Sequence, residues 1–400
     1  MNFSNRWSYF QRWRYRDTVL ALTIGANFTQ LSSRIVISPV VPLIIASFAI
    51  SKSQIGIALS AMWATYALFQ FPSGLLGDRF GERVLILVSL GLLGAGCLLL
   101  AISPSFVFFS LFVIFLGAGS GLYFVAGVSM LNDLFTNRGQ ALSFHAAGGS
   151  IAGLVTPIMA GYLGVHYGWR VSVLLGAGIA LPVLALFAKY SGATSPKRPD
   201  ESFRSRLNPS TLLGIATDRR VVYTAGLATI GIFTFQSIMS FFPTFLIEHR
   251  GFSPQTASAA FGFVFLLSTI AKPVAGWMSD AFDRDSVVAL ALLVTMSGLG
   301  FLIHGPTSVL VIPGIGLVGL GLSWPGVLQA RLIDSLSATE ERTGFGLMRT
   351  IYMFLGSSGS VVTGTAADVA GWTTAYGIVI GILGLGTLVL LLNRMFGLGL

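Results

Sequence analysis

Two positively charged side chains lie inside stretches of sequence that are otherwise almost entirely apolar. Arg34 falls in a run from about 18 to 46, and Lys272 falls in a run from about 255 to 279. A cation near the middle of a lipid bilayer costs about 2.5–3.5 kcal/mol on insertion scales, so it usually faces an aqueous cavity or a charged partner. The chain has 15 acidic residues, and all of them fall outside the apolar runs or close to their ends. We therefore infer that an anionic ligand supplies the missing counter-charge.

Several uncharged side chains accompany these cations. Gln30 and Asn27 precede Arg34 by about one and two helical turns on a similar face, which makes a polar stripe through an apolar segment. Gln70 lies 202 residues before Lys272, the offset that also relates two repeated motifs described below. The alternatives are that Arg34 holds backbone carbonyls, that Lys272 extends to the membrane interface, and that the aromatic candidates only pack. The candidate ligand-binding residues are Arg34, Lys272, Gln70, Gln30, Asn27, Gln236, Tyr123 and Trp324.

Composition indicates which elements position these side chains. Of the 400 residues, 54% are hydrophobic and only 10% are charged, whereas an average soluble domain has about 25% charged residues. The apolar runs are long enough to cross a hydrocarbon core of about 30 Å, and alternating strand patterns are absent. We predict an all-α membrane protein of twelve transmembrane helices, because only helices and closed barrels pair their backbone groups in lipid. The predicted helices, numbered 1 to 12, span about 18–46, 54–76, 84–102, 106–132, 140–164, 171–190, 220–247, 255–279, 286–304, 308–332, 344–368 and 373–394.

The distribution of Lys and Arg predicts the orientation in the membrane. Basic residues cluster before helix 1 and after helices 2, 4 and 6, whereas the opposite connections hold only Lys52, Arg170 and Arg250. Because positive charge marks the cytoplasmic side, we expect both termini in the cytoplasm and the protein in the plasma (inner) membrane. The net charge of +9 is dispersed along this face without a nucleic-acid-binding motif, so we expect no nucleic-acid partner.

Enzymatic chemistry is not indicated. The four histidines are scattered without ligand spacing, and the single cysteine, Cys97, excludes a cysteine metal cluster. A membrane enzyme would need a nucleophile, a metal cluster or an acid pair at the bilayer, and no such constellation is indicated. We therefore expect neither an enzyme nor a bound metal or cofactor.

The chain divides into two similar halves. The longest connection, 191–219, is rich in Ser, Pro and Arg and separates the helices six and six, which predicts bundles at 1–190 and 220–400 joined by a cytoplasmic linker. The segment from Gly74 to Gly81 ends helix 2, and a similar segment from Gly276 to Arg284 ends helix 8. Duplicated helical bundles with a site between them are typical of secondary transporters.

The segment from Gly74 to Arg83 resembles the signature G-x-L-x-D-R-x-G-x-K/R that joins helices 2 and 3 in the major facilitator superfamily. Glu82 stands where a basic residue is usual in that family. The resemblance implies two pseudosymmetric six-helix bundles and a cluster that latches the cytoplasmic side when the cavity opens outward. In that latch Asp78 would accept hydrogen bonds from a neighbouring helix N-terminus. The implied gating residues are Asp78, Arg79, Gly74, Gly81, Arg83, Asp280, Arg284, Asp133 and Arg138.

The segment from Ala271 to Asp280 is similar to helix 8 of oxalate/formate-type and monocarboxylate porters, where a cation precedes Pro and a G-W-x-S-D end. Many of those porters have Arg where this chain has Lys272, which offers a point charge instead of a two-pronged grip. The resemblance and the unpaired cations predict a monomeric secondary transporter that moves a small organic anion, a carboxylate, by alternating access. A proton or an exchanged anion would be the coupling partner. Two alternatives stay open, a proton-coupled multidrug exporter, for which no buried acid is present, and a transporter of an inorganic anion such as nitrate.

Overall fold

The computed structural model describes residues 4–197, 213–215, 217–305, 309–336 and 341–400, and side chains are described from Tyr15 and from Gly344 onward in the first and last segments. Eleven helical stretches of this part of the chain are long and apolar enough to cross a membrane. The last of them, Gly344–Phe396, has 53 residues, whereas about 20 residues suffice for one crossing. It is divided at Gly371, whose φ of 80° is not helical. Twelve membrane-crossing helices result.

The observed helices follow the predicted order, and their ends are shifted by a few residues except at the start of helix 1, which begins at Ser4 instead of near residue 18. The predicted linker 191–219 lies largely outside the described residues. Helix 11 includes Glu341–Gly356 and the part of Ser358–Phe396 before Gly371, and helix 12 is the remainder. The other helices are helix 1, Ser4–Ile35 and Val41–Phe48; helix 2, Lys52–Phe80; helix 3, Glu82–Ala101; helix 4, Phe106–Leu134; helix 5, Arg138–Tyr167; helix 6, Trp169–Tyr190; helix 7, Arg219–Arg250; helix 8, Pro254–Ala281; helix 9, Arg284–His304; and helix 10, Val311–Gly321 and Pro325–Asp334.

Proline breaks two of these helices. Helix 1 leaves the α-helical path after Ile35 and passes through a short 3₁₀ segment, Ser38–Val40, as Pro39 and Pro42 led us to expect. Helix 10 breaks just before Pro325, which the sequence analysis did not anticipate. The first break places Arg34 in the last turn before the irregular segment, where helical hydrogen bonding ends.

The two sets of six helices meet firmly at one end of the molecule. Because the number of crossings is even, both termini lie at the same end; we call this the terminal end and the other the opposite end. At the opposite end, Ser38 Oγ of helix 1 donates to Ser240 O of helix 7 at 3.5 Å. Gly161 of helix 5 lies directly against Ser258 of helix 8, where a Cβ would clash. Helices 1 and 7 and helices 5 and 8 therefore seal this end.

Candidate functional site

Arg34 is held at the centre of the helical assembly. Its side chain is 4% exposed, and its guanidinium lies over the rings of Tyr66 and Trp63, at 4.0 Å and 4.6 Å from the ring centroids. A cation over an aromatic face is attracted by the ring quadrupole. Nη2 and Nε donate to Gln30, to the side-chain oxygen at 2.6 Å and to the carbonyl at 3.2 Å. Nη1 has no hydrogen-bond partner, and no acidic residue in the described part of the chain pairs with Arg34.

The polar stripe of helix 1 is built into the protein. Gln30 Oε1 also accepts a hydrogen bond from Ser120 Oγ of helix 4 at 2.8 Å, and Gln30 Nε2 donates to Asn27 Oδ1 at 3.2 Å. Asn27 Nδ2 in turn donates to the carbonyl of His145 in helix 5 at 2.7 Å. These bonds fix the orientation of Arg34. Gln30 and Asn27 therefore position the cation in this conformation, and their direct contact with a ligand stays a prediction.

Gln70 brings a further cation to the same region. Its side-chain oxygen accepts from Arg349 Nε of helix 11 at 2.9 Å, and its amide nitrogen contacts Met353 Sδ at 3.2 Å. The Arg349 guanidinium lies 4.7 Å from the ring centroid of Phe124 in helix 4. Gln70 follows Tyr66 by one turn, about 6 Å along helix 2. Arg34 of helix 1 and Arg349 of helix 11 therefore contact neighbouring turns of helix 2.

Arg349 is not among the binding residues predicted from the sequence. It lies close to the predicted start of helix 11, where a basic side chain is typical of the membrane interface. The helix begins at least at Glu341, and Arg349 is therefore two turns inside it. A cation flanked by Gly346 and Met353 in an apolar helix was the available signal.

Lys272 faces the interior of the molecule but is exposed. Ser268, Ala275 and Ser279 lie on the same face of helix 8, one or two turns away, and all three are buried. Ile270 and Trp277, on the other face, are exposed by 57% and 65%, as expected for lipid-facing residues. An exposed side chain on the inner face requires open space between the two sets of helices at this depth. Within the described residues Lys272 has no hydrogen bond and no ion pair, and the sealed opposite end leaves the terminal end as its access route.

Three other candidates are buried away from this space. Tyr123 is fully buried and donates to the carbonyl of Thr23 at 2.6 Å. Trp324 is 3% exposed and packs directly on Gly231 of helix 7. Gln236 is 1% exposed, and its side-chain oxygen has no partner. The structure does not bring these three side chains together with Arg34 and Lys272.

The signature loop anchors the segment that follows helix 6. Gly81 has a φ of 86°, and a Cβ there would lie 2.5 Å from the carbonyl oxygen of Thr194, so both its conformation and its surroundings require glycine. Arg83 Nε donates to the carbonyl of Ser191 at 2.9 Å. Gly74 packs at ordinary distance against Val125. Gly81 and Arg83 therefore hold a segment of their own half in this conformation.

Glu82, the departure from the family signature, has a lysine partner. Lys197 Nζ lies 2.6 Å from Glu82 Oε1 and 2.6 Å from Asp133 Oδ2, and its backbone nitrogen donates to the Asp78 carbonyl at 2.9 Å. Burial alone would lower the pKa of Lys197, but its hydrogen bonds to the two carboxylates outweigh burial and raise that pKa. Glu82 is only 2% exposed, so Lys197 neutralises a buried charge. This cluster ties the start of the predicted linker to helices 2, 3 and 4.

The remaining gating candidates lie near the terminal end of the molecule. Arg79 is exposed and lies 5.5 Å from the ring centroid of Phe80. Arg284 forms an ion pair with Asp334, whereas Arg138 and Asp280 are exposed. A latch between Asp78 and a neighbouring helix N-terminus stays a prediction.

A cluster at the opposite end joins helices 2, 7, 11 and 12, and we call it the outer clasp: Lys52, Ser53, Glu248, Asp368 and Trp372. Asp368 accepts from the backbone nitrogens of Lys52 and Ser53, the first residues of helix 2, at 3.2 Å and 2.6 Å. Lys52 Nζ lies 3.1 Å from Glu248 Oε2, which also accepts from Trp372 Nε1 at 2.9 Å. A carboxylate at a helix N-terminus is favoured by both hydrogen bonding and the helix dipole. The outer clasp therefore stabilises closure of the opposite end.

Replacing Asp368 with asparagine should open the opposite end. Hydrogen bonds to a charged group contribute about 1.5–3 kcal/mol, so their loss should shift the conformational equilibrium by about 10- to 150-fold. Spin labels at the exposed positions Ile57 and Val369 would report the change as a longer distance population.

The matched control is Thr374→Val, because among the described residues the Thr374 hydroxyl bonds only to the carbonyl of Ala370, four residues earlier in the chain. An Asp368→Asn distance distribution identical to that of the wild type would show that the clasp does not set the equilibrium.

Twelve membrane-crossing helices, in two sets that close on each other at one end, define an integral membrane carrier. The chain belongs to the major facilitator superfamily, whose family model matches residues 22–330 and 224–396. The chain is therefore a secondary transporter and not an enzyme, and the predicted fold class is confirmed.

Individual relatives are distant. The chain is 22% identical over 384 residues to a hexuronate transporter of Bacillus subtilis (strain 168), covering 88% of each chain. It is 26% identical over 293 residues to a nitrite extrusion protein of the same organism, covering 70% of this chain and 72% of that one. Its fold matches an inward-facing, unoccupied bacterial homologue of the human lysosomal transporter Spinster, with a TM-score of 0.80, 14% identity, and coverage of 96% and 98%. These relatives differ in the solutes that their names give.

Proposed function

We propose that this protein transports a small organic anion, a carboxylate, by alternating access between bundles formed by 1–190 and 220–400. The observation that carries the proposal is Arg34, a buried cation with an unused Nη1 and no acidic partner among the described residues. An uncompensated charge in the membrane interior is costly, so a bound anion would stabilise the site. Two relatives, the hexuronate transporter and the nitrite extrusion protein, are named for anions, which supports the sign of the charge.

Each cation would have a distinct part in binding. Arg34 would contribute its free Nη1 from helix 1, and Arg349 its remaining donors from helix 11. Lys272 would contribute a point charge from helix 8 on the far side of the open space. Because the three side chains come from both bundles, a bound anion would draw the bundles together at the terminal end. This is how substrate binding would promote the conformational change.

Transport by purified protein in liposomes tests the proposal. Counterflow of labelled glucuronate, a hexuronate, should be inhibited by small mono- and dicarboxylates and much less by cationic dyes. Inhibition by nitrite alone would favour the inorganic-anion alternative. Transport of a cationic dye without any anion counterflow would favour the drug exporter and contradict the proposal.

We also propose that the terminal end faces the cytoplasm, because the basic connections lie there. A tag with a single cysteine, inserted near Pro199, should react with a membrane-impermeant thiol reagent only after the membrane is permeabilised. Labelling of intact cells would reverse the orientation, and a tag inserted near Gly251, at the opposite end, is the matched control that should be labelled from outside.

A further inference from the structure

His145 is a titratable group that the binding site described above does not use. It lies in helix 5, is 3% exposed, and stacks on Tyr123 with ring centroids 5.8 Å apart. Its Nε2 lies 2.9 Å from the hydroxyl of Tyr123, and that hydroxyl lies 2.6 Å from the carbonyl oxygen of Thr23. The three residues form a short chain of hydrogen bonds between helices 5, 4 and 1.

The direction of these hydrogen bonds fixes the tautomer of His145. A carbonyl oxygen can only accept, so the single hydroxyl hydrogen of Tyr123 is donated to Thr23. The Tyr123 oxygen can then only accept from His145, which must carry its hydrogen on Nε2. Nδ1 is therefore the unprotonated nitrogen, and it makes no hydrogen bond to any residue that the structure describes. A proton can be added at Nδ1 without breaking the chain.

His145 is connected to the cations of the proposed anion site. Its backbone oxygen accepts from Asn27, and the amides of Asn27 and Gln30 continue the hydrogen bonds to Arg34. Helices 5 and 8 run antiparallel, because Gly161 contacts Ser258 and Gly153 contacts Phe265. A further step of seven residues along each helix places Lys272 at the level of Ala146, next to His145. Both cations are therefore near enough to oppose its protonation.

No carboxylate faces His145 from the described parts of the helices around it. Helix 1 presents Thr23 and Asn27 at this level, and helix 4 presents Tyr123. The charged groups on helices 1, 4 and 5 lie about 9–15 Å farther along these helices by helical rise. They are Asp17 and Arg34 on helix 1, Asp133 on helix 4 and Arg138 on helix 5. Helix 8 presents Lys272 at the level of His145, and helix 6 carries the exposed Lys189.

We propose that His145 is the proton-binding site of this transporter and that proton and anion are bound together. The inference rests on the proposed anion site. An anion at Arg34 and Lys272 would neutralise the charges that oppose protonation of His145. One anion and one proton would therefore bind together, with the proton bonded to Nδ1. By linkage each ligand raises the affinity for the other equally. A charge about 10 Å away at an effective dielectric constant of about 20 changes a binding constant on the order of tenfold.

The test compares glucuronate binding by wild type, His145→Gln and Tyr123→Phe at about pH 4.5 and about pH 8.5, a range that extends well below the pH at which a free histidine titrates. Glutamine can still donate to Tyr123 but cannot titrate. Wild type and Tyr123→Phe should bind glucuronate about tenfold more tightly at the lower pH. His145→Gln should bind equally at both values and match wild type at about pH 8.5. In a weakly buffered solution, glucuronate should cause proton uptake by wild type and by Tyr123→Phe, but not by His145→Gln.

The outcomes separate the two proposals. If wild type binds glucuronate without proton uptake, or if His145→Gln keeps the pH dependence, the proton site is wrong and the anion site stands. If His145→Gln loses glucuronate binding even at about pH 8.5, the proton site is tested by the proton uptake of wild type. Absence of that uptake overturns the proton site, and its presence supports it. If wild type binds no anion at either pH, the proposed function itself fails.

Discussion

Uptake of an anionic substrate should fall below detection when Arg34 is replaced by glutamine. Removing one member of a buried charge pair typically costs 2–5 kcal/mol, which corresponds to about 30- to 5000-fold in affinity. The effect should be large at Arg34, because the side chain is 4% exposed and water cannot replace the lost charge. Glutamine is also too short to reach the faces of Tyr66 and Trp63. Counterflow of labelled glucuronate into liposomes measures the loss.

The matched control for Arg34 is Arg170→Gln. Arg170 also lies over an aromatic ring, 4.3 Å from the centroid of Trp169, and donates to the carbonyl of Ser103. It lies at the opposite end of the molecule, away from the open space, so uptake should stay within about twofold of wild type. Normal uptake by a correctly folded Arg34→Gln protein would show that Arg34 has a structural role only.

Replacing Lys272 with glutamine should lower anion affinity by about 30-fold, at the smaller end of the same range. Lys272 is exposed to the open space, and water partly screens its charge in the ligand-free protein. Lys272→Arg should keep part of the activity, because it keeps the positive charge and its planar guanidinium can bind a carboxylate with two parallel donors. Concentration dependence of counterflow separates these changes in affinity from changes in maximal rate.

Lys189→Gln is the control for Lys272, since Lys189 is an exposed lysine that contacts only the ring of Tyr190 at 5.1 Å. It should transport as wild type does. If Lys272→Gln and Lys189→Gln behave alike, Lys272 does not contribute to the site, and the helix 8 resemblance carries no functional information.

Periodicity and charge were sufficient to predict the elements that place Arg34. The apolar runs predicted the helices, and Pro39 and Pro42 predicted the break in helix 1. Both are local properties of the chain, because hydropathy and the missing proline N–H act within a few residues. Helix 1 nevertheless begins at Ser4 and not near residue 18, since a helix can continue past the edge of its apolar run.

Contacts between distant helices could not be predicted in the same way. The pairing of Gln70 with Arg349 depends on how helices 2 and 11 align along their axes. The same holds for Asp368, which reaches the start of helix 2 over 315 residues of sequence. Residue type also does not say which face of a helix points inward. Tyr123 and Trp324 are aromatic residues near glycines that prove to be fully packed instead of lining open space.

Glu82 shows how a departure from a family pattern can be explained once the structure is known. The sequence has an acid where a basic residue is usual, but it does not indicate the partner of that acid. The partner is Lys197, more than one hundred residues later and at the start of the linker. An exchange of charge at one position is tolerated because a complementary charge is present at another.

Thermal unfolding of the purified protein in the presence of candidate ligands tests the anion site most directly. A ligand at about 100 times its dissociation constant stabilises the folded state by about 2.7 kcal/mol, independently of transport direction or coupling ion. We expect small carboxylates such as glucuronate to raise the Tm of wild type and of Arg170→Gln, and to leave the Tm of Arg34→Gln unchanged. Stabilisation by cationic drugs alone, or equal stabilisation of wild type and Arg34→Gln by glucuronate, would contradict the proposal that Arg34 binds the substrate anion.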